Sequence, residues 1–344
     1  MDSKKSNTFL KKFLGFFKKF PTIIALAIGM PLLIYAVRYI FLDENYYYNS
    51  YYYGQETEIY AEQFRITKIN KVTTVYQAAS MFSYQGGACV NDYYIICTDN
   101  FEAIIIYDTN HMGKGPIHII KTGIVNTDWH CNQIFFSNTY YSTHDKFPLM
   151  YVSMESPKVH STIAFRIYQL GGEYRVQQIQ SICLEFDQDE DKIYYPNSYY
   201  DHETGMMYYA GYTNNSYMKE EGNFIKFYKF ALPDYRTPEE LIYTSSAISS
   251  FSLPSETATQ GGFILDGYLY QTFSFNSKTD PLKAPKMRVV DLEKEEIIHD
   301  YQNLYADFGV AEEFEHVAIS DNGRMYSLGN PFNIYEFEYE DSLL

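Results

Sequence analysis

The chain is poor in basic residues, cysteine, tryptophan and long apolar runs, and each shortage narrows what it can be. Of its 27 lysines and arginines, seven fall within the first 41 positions, so the rest holds 20 basic against 42 acidic residues, a net charge of −22. A surface that acidic repels nucleic acid and anionic lipid headgroups, which excludes phosphate-backbone binding. Cations and neutral ligands are the natural partners. The four cysteines, Cys89, Cys97, Cys131 and Cys183, are too few and too irregular for a disulfide scaffold. Cys89 and Cys97 flank a predicted turn at Asn91-Asp92 at unequal offsets, so they do not face each other and free thiols are expected.

Catalytic signatures are missing too. There is no Gly-x-Ser-x-Gly nucleophile elbow, no phosphate-cradling glycine loop and no local His-x-Glu-x-His ligand spacing. Helical periodicity is nearly absent after residue 45. The single tryptophan, Trp129, reads as a core residue more readily than as a ligand platform.

One long apolar run is present, residues 20–41, preceded by six lysines and followed by Asp43 and Glu44. It is long enough for a helix to cross a hydrocarbon core of about 30 Å, and the lysine flank holds the preceding segment in the cytoplasm. No small-x-small cleavage site follows the run, so it reads as an uncleaved signal-anchor. The expected organisation is a basic cytoplasmic tail at 1–19, a transmembrane helix at 20–41, a tyrosine-rich spacer at 42–60 and an extracytoplasmic domain at 61–344. Tyrosines 46–48 and 51–53 suit an interfacial aromatic belt.

What is abundant is the chemistry of β-sheets. The chain contains 37 tyrosines and 25 phenylalanines, which sit with β-branched residues in runs of five to eight, separated by turn dipeptides such as Asn91-Asp92, Gly171-Gly172 and Asp266-Gly267. These runs repeat. Gln85-Gly86-Gly87 opens a hairpin followed by an apolar strand ending in Asp108, and Gln260-Gly261-Gly262 opens the same series, with its third strand ending in Asp291. Longer copies span His130 to Cys183 and Tyr194 to about Ile248. A last unit from Phe314 to Tyr339 has only three strands.

Repeats of four antiparallel strands predict an all-β, β-propeller fold. The three-stranded unit needs a fourth strand, and the alternating segment from Phe64 to Val75 is free to supply it and close the ring. The count is five blades, or six if a long connection conceals another. The acidic run Asp187 to Asp191 reads as a solvated connection between blades.

Around His130-Cys131-Asn132-Gln133-Ile134-Phe135-Phe136-Ser137-Asn138 and Phe147-Pro148-Leu149-Met150-Tyr151-Val152-Ser153 the chain resembles uncharacterised exported bacterial β-propeller proteins, loosely the TolB-like, six-bladed group. The resemblance implies the fold and no particular activity.

Propellers bind ligands where the innermost strands begin. Those positions here are Gln85, His130, Asn132, Asn197, Gln260, Glu315 and His316, a polar ring at one mouth of the channel. His130, Glu315 and His316 are the candidates for a divalent metal ion. With no coherent carboxylate pair or triad, the expected function is non-catalytic binding of a small molecule, carbohydrate or protein partner. A cell-surface glycoside or ester hydrolase using the polar ring is the alternative.

Overall fold

A computed structural model of the chain describes residues 64–75, 83–124, 129–155, 160–215, 223–255, 258–274, 285–310, 312–330 and 332–343. The run at 20–41 and the spacer at 42–60 lie outside the described residues. Among the described residues no helix is long and apolar enough to cross a membrane.

The strands form five sheets that stand as the blades of a propeller. Strand β1 (Phe64–Thr74) precedes the first complete blade. Blade 1 is β2 (Tyr84–Val90), β3 (Tyr93–Thr98), β4 (Ala103–Asp108) and β5 (His118–Lys121). Blade 2 begins with β6 (His130–Phe136), β7 (Met150–Glu155), β8 (His160–Leu170) and β9 (Glu173–Glu185). Blade 3 begins with β10 (Tyr194–Asp201), β11 (Met206–Tyr212) and β12 (Phe224–Ala231). The next strand, β13 (Glu239–Tyr243), leaves blade 3 to pair in parallel with β9 of blade 2, from Glu239 opposite Ser181 to Tyr243 opposite Glu185. Strand β14 (Ser249–Pro254) then completes blade 3 against β12.

Blade 4 is β15 (Thr259–Leu265), β16 (Tyr268–Phe273), β17 (Lys286–Asp291) and β18 (Glu296–Asn303), followed by one short helix, Leu304–Phe308. Blade 5 is β19 (Glu313–Ile319), β20 (Met325–Asn330) and β21 (Asn333–Asp341), with β1 as its fourth strand. That pairing runs antiparallel from Phe64 opposite Asp341 to Thr74 opposite Asn333, so the ring closes as the leftover strand predicts. The blade count is five. The third repeat differs from its expected end near Ile248, because the segment before that residue is shared with blade 2 and the outer strand begins one residue later.

Each blade is covered on both faces by its neighbours, which explains why its strands read as nearly unbroken apolar runs. In β4, Ile104 and Ile106 pack toward blade 2 while Ala103, Ile105 and Tyr107 pack toward blade 5. Five apolar clusters result, one in each interface between blades. Trp129 packs against the first of them, as a core residue. The four cysteines are free thiols. The long β8–β9 hairpin turns at Gly171 (φ 63°) and Gly172 (φ 88°), a left-handed pair that residues with a Cβ adopt only with strain. The acidic connection from blade 2 to blade 3 is held by its own contacts: Asp187 accepts from the Ser245 amide (2.7 Å), and Lys226 pairs with Asp191 (3.1 Å).

Candidate functional site

The five inner strands share an irregularity. Each breaks its pairing with the second strand of its blade, between Tyr84 and Gly87, Cys131 and Gln133, Tyr194 and Asn197, Thr259 and Gly262, and Phe314 and His316. A bulge inserts an extra residue and re-aims the side chains around it. Gln85, Asn132, Gln260 and Glu315 lie within these breaks, and Asn197 and His316 close theirs. Six of the seven residues selected from sequence therefore occupy one level of the inner strands, set there by repeated bulges. All six are buried.

Their contacts are mostly with one another and with backbone. Nδ1 of His316 lies 2.8 Å from the Gln85 carbonyl and Nε2 lies 2.5 Å from the Tyr94 hydroxyl. A carbonyl can only accept, so Nδ1 carries the proton and Nε2 accepts from Tyr94. Burial lowers the His316 pKa to about 4, against a smaller opposing pull from the Gln85 carbonyl, and the ring is neutral at pH 7. The Asn197 amide donates to the Gln260 carbonyl (3.0 Å), and the Gln260 side chain donates to the Ser274 carbonyl (3.1 Å) and to Glu313 (3.0 Å). These bonds tie blade 1 to blade 5 and blade 3 to blade 4. His130 is turned away toward Asp99 of blade 1 (2.5 Å), with its side chain 44% exposed.

The expected metal set does not gather. No group of three or more histidine, cysteine, aspartate or glutamate side chains among the described residues could hold a metal ion. Asp99 occupies Nδ1 of His130, and both nitrogens of His316 are bonded within the protein, so His130, Glu315 and His316 do not share a ligand position.

The residue that sequence reasoning missed is Gln133. Its side chain crosses from blade 2 to blade 4 and brackets one residue there: the Gly262 amide donates to Oε1 (3.0 Å) and Nε2 donates to the Gly262 carbonyl (2.5 Å). The glycine pairs make room for this crossing. A Cβ on Gly261 would overlap Gln133 Oε1 and His316, and a Cβ on Gly87 would overlap the His316 ring. The matched Gln-Gly-Gly openings thus serve a plug made of Gln133 and His316, which closes the channel midway.

Beyond the plug, where the inner strands end in their hairpin turns, lies a cavity of about 560 Å³. It is at the opposite mouth from the one expected. Gln133, Gly87 and Gly262 belong to its lining, with aromatic residues Phe135, Phe136, Tyr140, Tyr200, Phe263 and Tyr339 and the acids Asp201, Glu203, Asp266 and Asp321. Among the described residues that line it, none is lysine or arginine. The signal for it was present in the sequence, since each inner strand ends at an Asp- or Asn-containing turn, but those residues read as turn formers alone.

No protein-family model matches the chain, and no curated relative matches its sequence. Solved structures similar to it include a glucose dehydrogenase at 9% identity and TM-score 0.46, covering 79% of this chain and 99% of that one. The soluble aldose sugar dehydrogenase of Escherichia coli is similar at 9% identity and TM-score 0.45, covering 79% and 99%. A GH43 β-1,3-galactosidase is similar at 10% identity and TM-score 0.44, covering 80% and 93%. None of these carries an activity over to this chain.

The electrostatics of the cavity are one-sided. His202, on its rim, bonds through Nδ1 to the Asn138 side-chain oxygen (2.9 Å), while the Asn138 amide donates to the His202 carbonyl (2.8 Å), linking blades 2 and 3. Crowding around the ring pushes its pKa below the usual imidazole value, with Asp201 and Asp321 pulling the other way. The shift favours the neutral ring near pH 7. Burial, then the Asp321 carboxylate, pushes the Cys89 thiol well up, so no thiolate stands ready there as a nucleophile.

Proposed function

We propose that the protein is a non-catalytic binding propeller, held in a membrane by residues 20–41, that receives a cationic group of a ligand or protein partner in the cavity at the hairpin ends of its inner strands. The observation that carries this reading is a cavity of about 560 Å³ with four carboxylate residues, six phenylalanines and tyrosines and no lysine or arginine among its described lining. Ammonium and guanidinium groups suit such walls, because carboxylates attract them and aromatic faces add about 0.5–2 kcal/mol each when water is excluded. The net charge of −22 beyond residue 41 steers cations to the same domain.

The ring of Gln85, Asn132, Asn197, Gln260, Glu315 and His316, with His130 beside it, supports a second reading. The side-chain oxygens of Asn132 and Asn197 are buried without a hydrogen-bond donor, which leaves acceptors for a small donor ligand at the first mouth.

Calorimetry on the full chain in detergent tests both. Lysine decapeptide, glutamate decapeptide and cellohexaose are the probes. Binding of the lysine peptide alone, weakened by salt, supports the cavity. Binding of the oligosaccharide that is lost in Asn132→Ala supports the ring instead.

A further inference from the structure

The most deeply buried cation among the described residues is Arg288 on β17, 1% exposed, in the cleft between blades 3 and 4. One terminal nitrogen is engaged: Nη1 donates to the Pro254 carbonyl (2.8 Å) and to the Tyr301 hydroxyl (3.0 Å). The guanidinium carbon lies 5.3 Å from the Tyr301 ring centre and 5.7 Å from that of Phe273. The other edge, Nε with Nη2, is buried and meets no acceptor. Ser255, the residue after Pro254, is also buried and its hydroxyl is likewise unpartnered. Lys286, two residues before Arg288 on the same strand face, is 8% exposed and places its ammonium 5.2 Å from the same Tyr301 ring.

Burying a guanidinium without an anion is costly even after relaxation, so an Arg with an unmet edge calls for a partner. The Nε–Nη2 edge is the fork that receives two oxygens of a carboxylate or phosphate in parallel hydrogen bonds. A lysine on the same face adds a second positive charge, and a serine hydroxyl adds a donor. Two buried cations on one strand face stand out in a domain where acids outnumber bases by about two to one. The cluster lies at the ends of β14 and β18 and the start of β17, outside the cavity assigned above. It serves neither the plug nor the cation site.

We propose that the Nε–Nη2 edge of Arg288, with Lys286 adding charge and Ser255 next in sequence to the Pro254 that holds Nη1, binds a small oxyanion between blades 3 and 4. The shared chemistry is a pair of oxygens carrying negative charge, as in a carboxylate or a phosphate.

The test uses the full chain in detergent at pH 7.5, with sodium acetate, sodium phosphate or sodium chloride titrated at constant ionic strength. Thermal midpoint and calorimetric heat are read together. Acetate or phosphate should raise the midpoint saturably while chloride does not, and the responding anion identifies the class. Arg288→Lys keeps the charge but lacks the fork, and should weaken that response by roughly ten- to a hundredfold. Ser255→Ala should weaken it less. An absence of any saturable oxyanion response in the unaltered chain overturns the proposal, whatever the variants do. An equal response in Arg288→Lys also overturns it.

Discussion

The side-chain amide of Gln133 makes two hydrogen bonds to a single residue, Gly262, two blades away across the channel. It serves Gly262 as a strand partner would, supplying an acceptor for the amide and a donor for the carbonyl. Removing it leaves two buried backbone groups unsatisfied, each at a cost of about 1–3 kcal/mol. Gln133→Leu, similar in size, should therefore lower stability by about 2–6 kcal/mol in denaturant titration. A midpoint equal to that of the parent would show that the bracket contributes nothing.

Gly87 and His316 should behave as a coupled pair. Gly87→Ala forces a methyl into the imidazole ring, so it should destabilise the parent clearly but destabilise His316→Ala much less. A double-mutant cycle reads this as a coupling of about 0.5–3 kcal/mol. Additive effects would place the ring elsewhere.

Acid should weaken the plug. The His316 pKa is about 4 in the folded protein against 6.5 for an unperturbed imidazole, so between those values the unfolded chain binds the proton that the folded chain refuses. Its contribution is fully present above pH 6.5 and is lost as pH falls toward 4, by about 3 kcal/mol. Denaturant titrations at about pH 7 and about pH 4.5 should show a smaller acid loss in His316→Gln than in the parent. Identical losses would contradict the assignment.

Closure rests on β1. Besides pairing with β21, it is bracketed by Gln302 of blade 4, which accepts from the Ile66 amide (3.0 Å) and donates to the Ile66 carbonyl (2.9 Å). Phe64 and Ile66 are fully buried, and each such side chain contributes about 1.5–3 kcal/mol. Deleting residues 64–74 should abolish cooperative unfolding. A sharp transition near the parent midpoint would refute closure.

How far the sequence could be read depended on whether a signal was local. Blade repeats were legible because a strand covered on both faces must be apolar along its length, and the leftover Phe64–Thr74 segment was legible because three strands leave an edge. The Gln-Gly-Gly repeat marked the inner strands, but its cause was not legible, since Gln133 and His316 come from other blades. For the same reason β13 read as part of blade 3, although Glu239–Tyr243 pairs with blade 2. The candidate ring was found at the right level of the strands. Its burial was not foreseeable, because glycine pairs draw the inner strands together and close the channel that an open ring requires.

The most direct test of the cation-binding account is the affinity of lysine decapeptide for the parent and for a Glu203→Gln, Asp266→Asn, Asp321→Asn variant, measured by calorimetry at two salt concentrations. These three acids are exposed at the cavity rim, so the variant should fold as the parent does. The account predicts that affinity falls at least about tenfold at low salt, a change of about 1.4 kcal/mol, and that the salt dependence flattens. Equal affinity and equal salt dependence in the two proteins would contradict it.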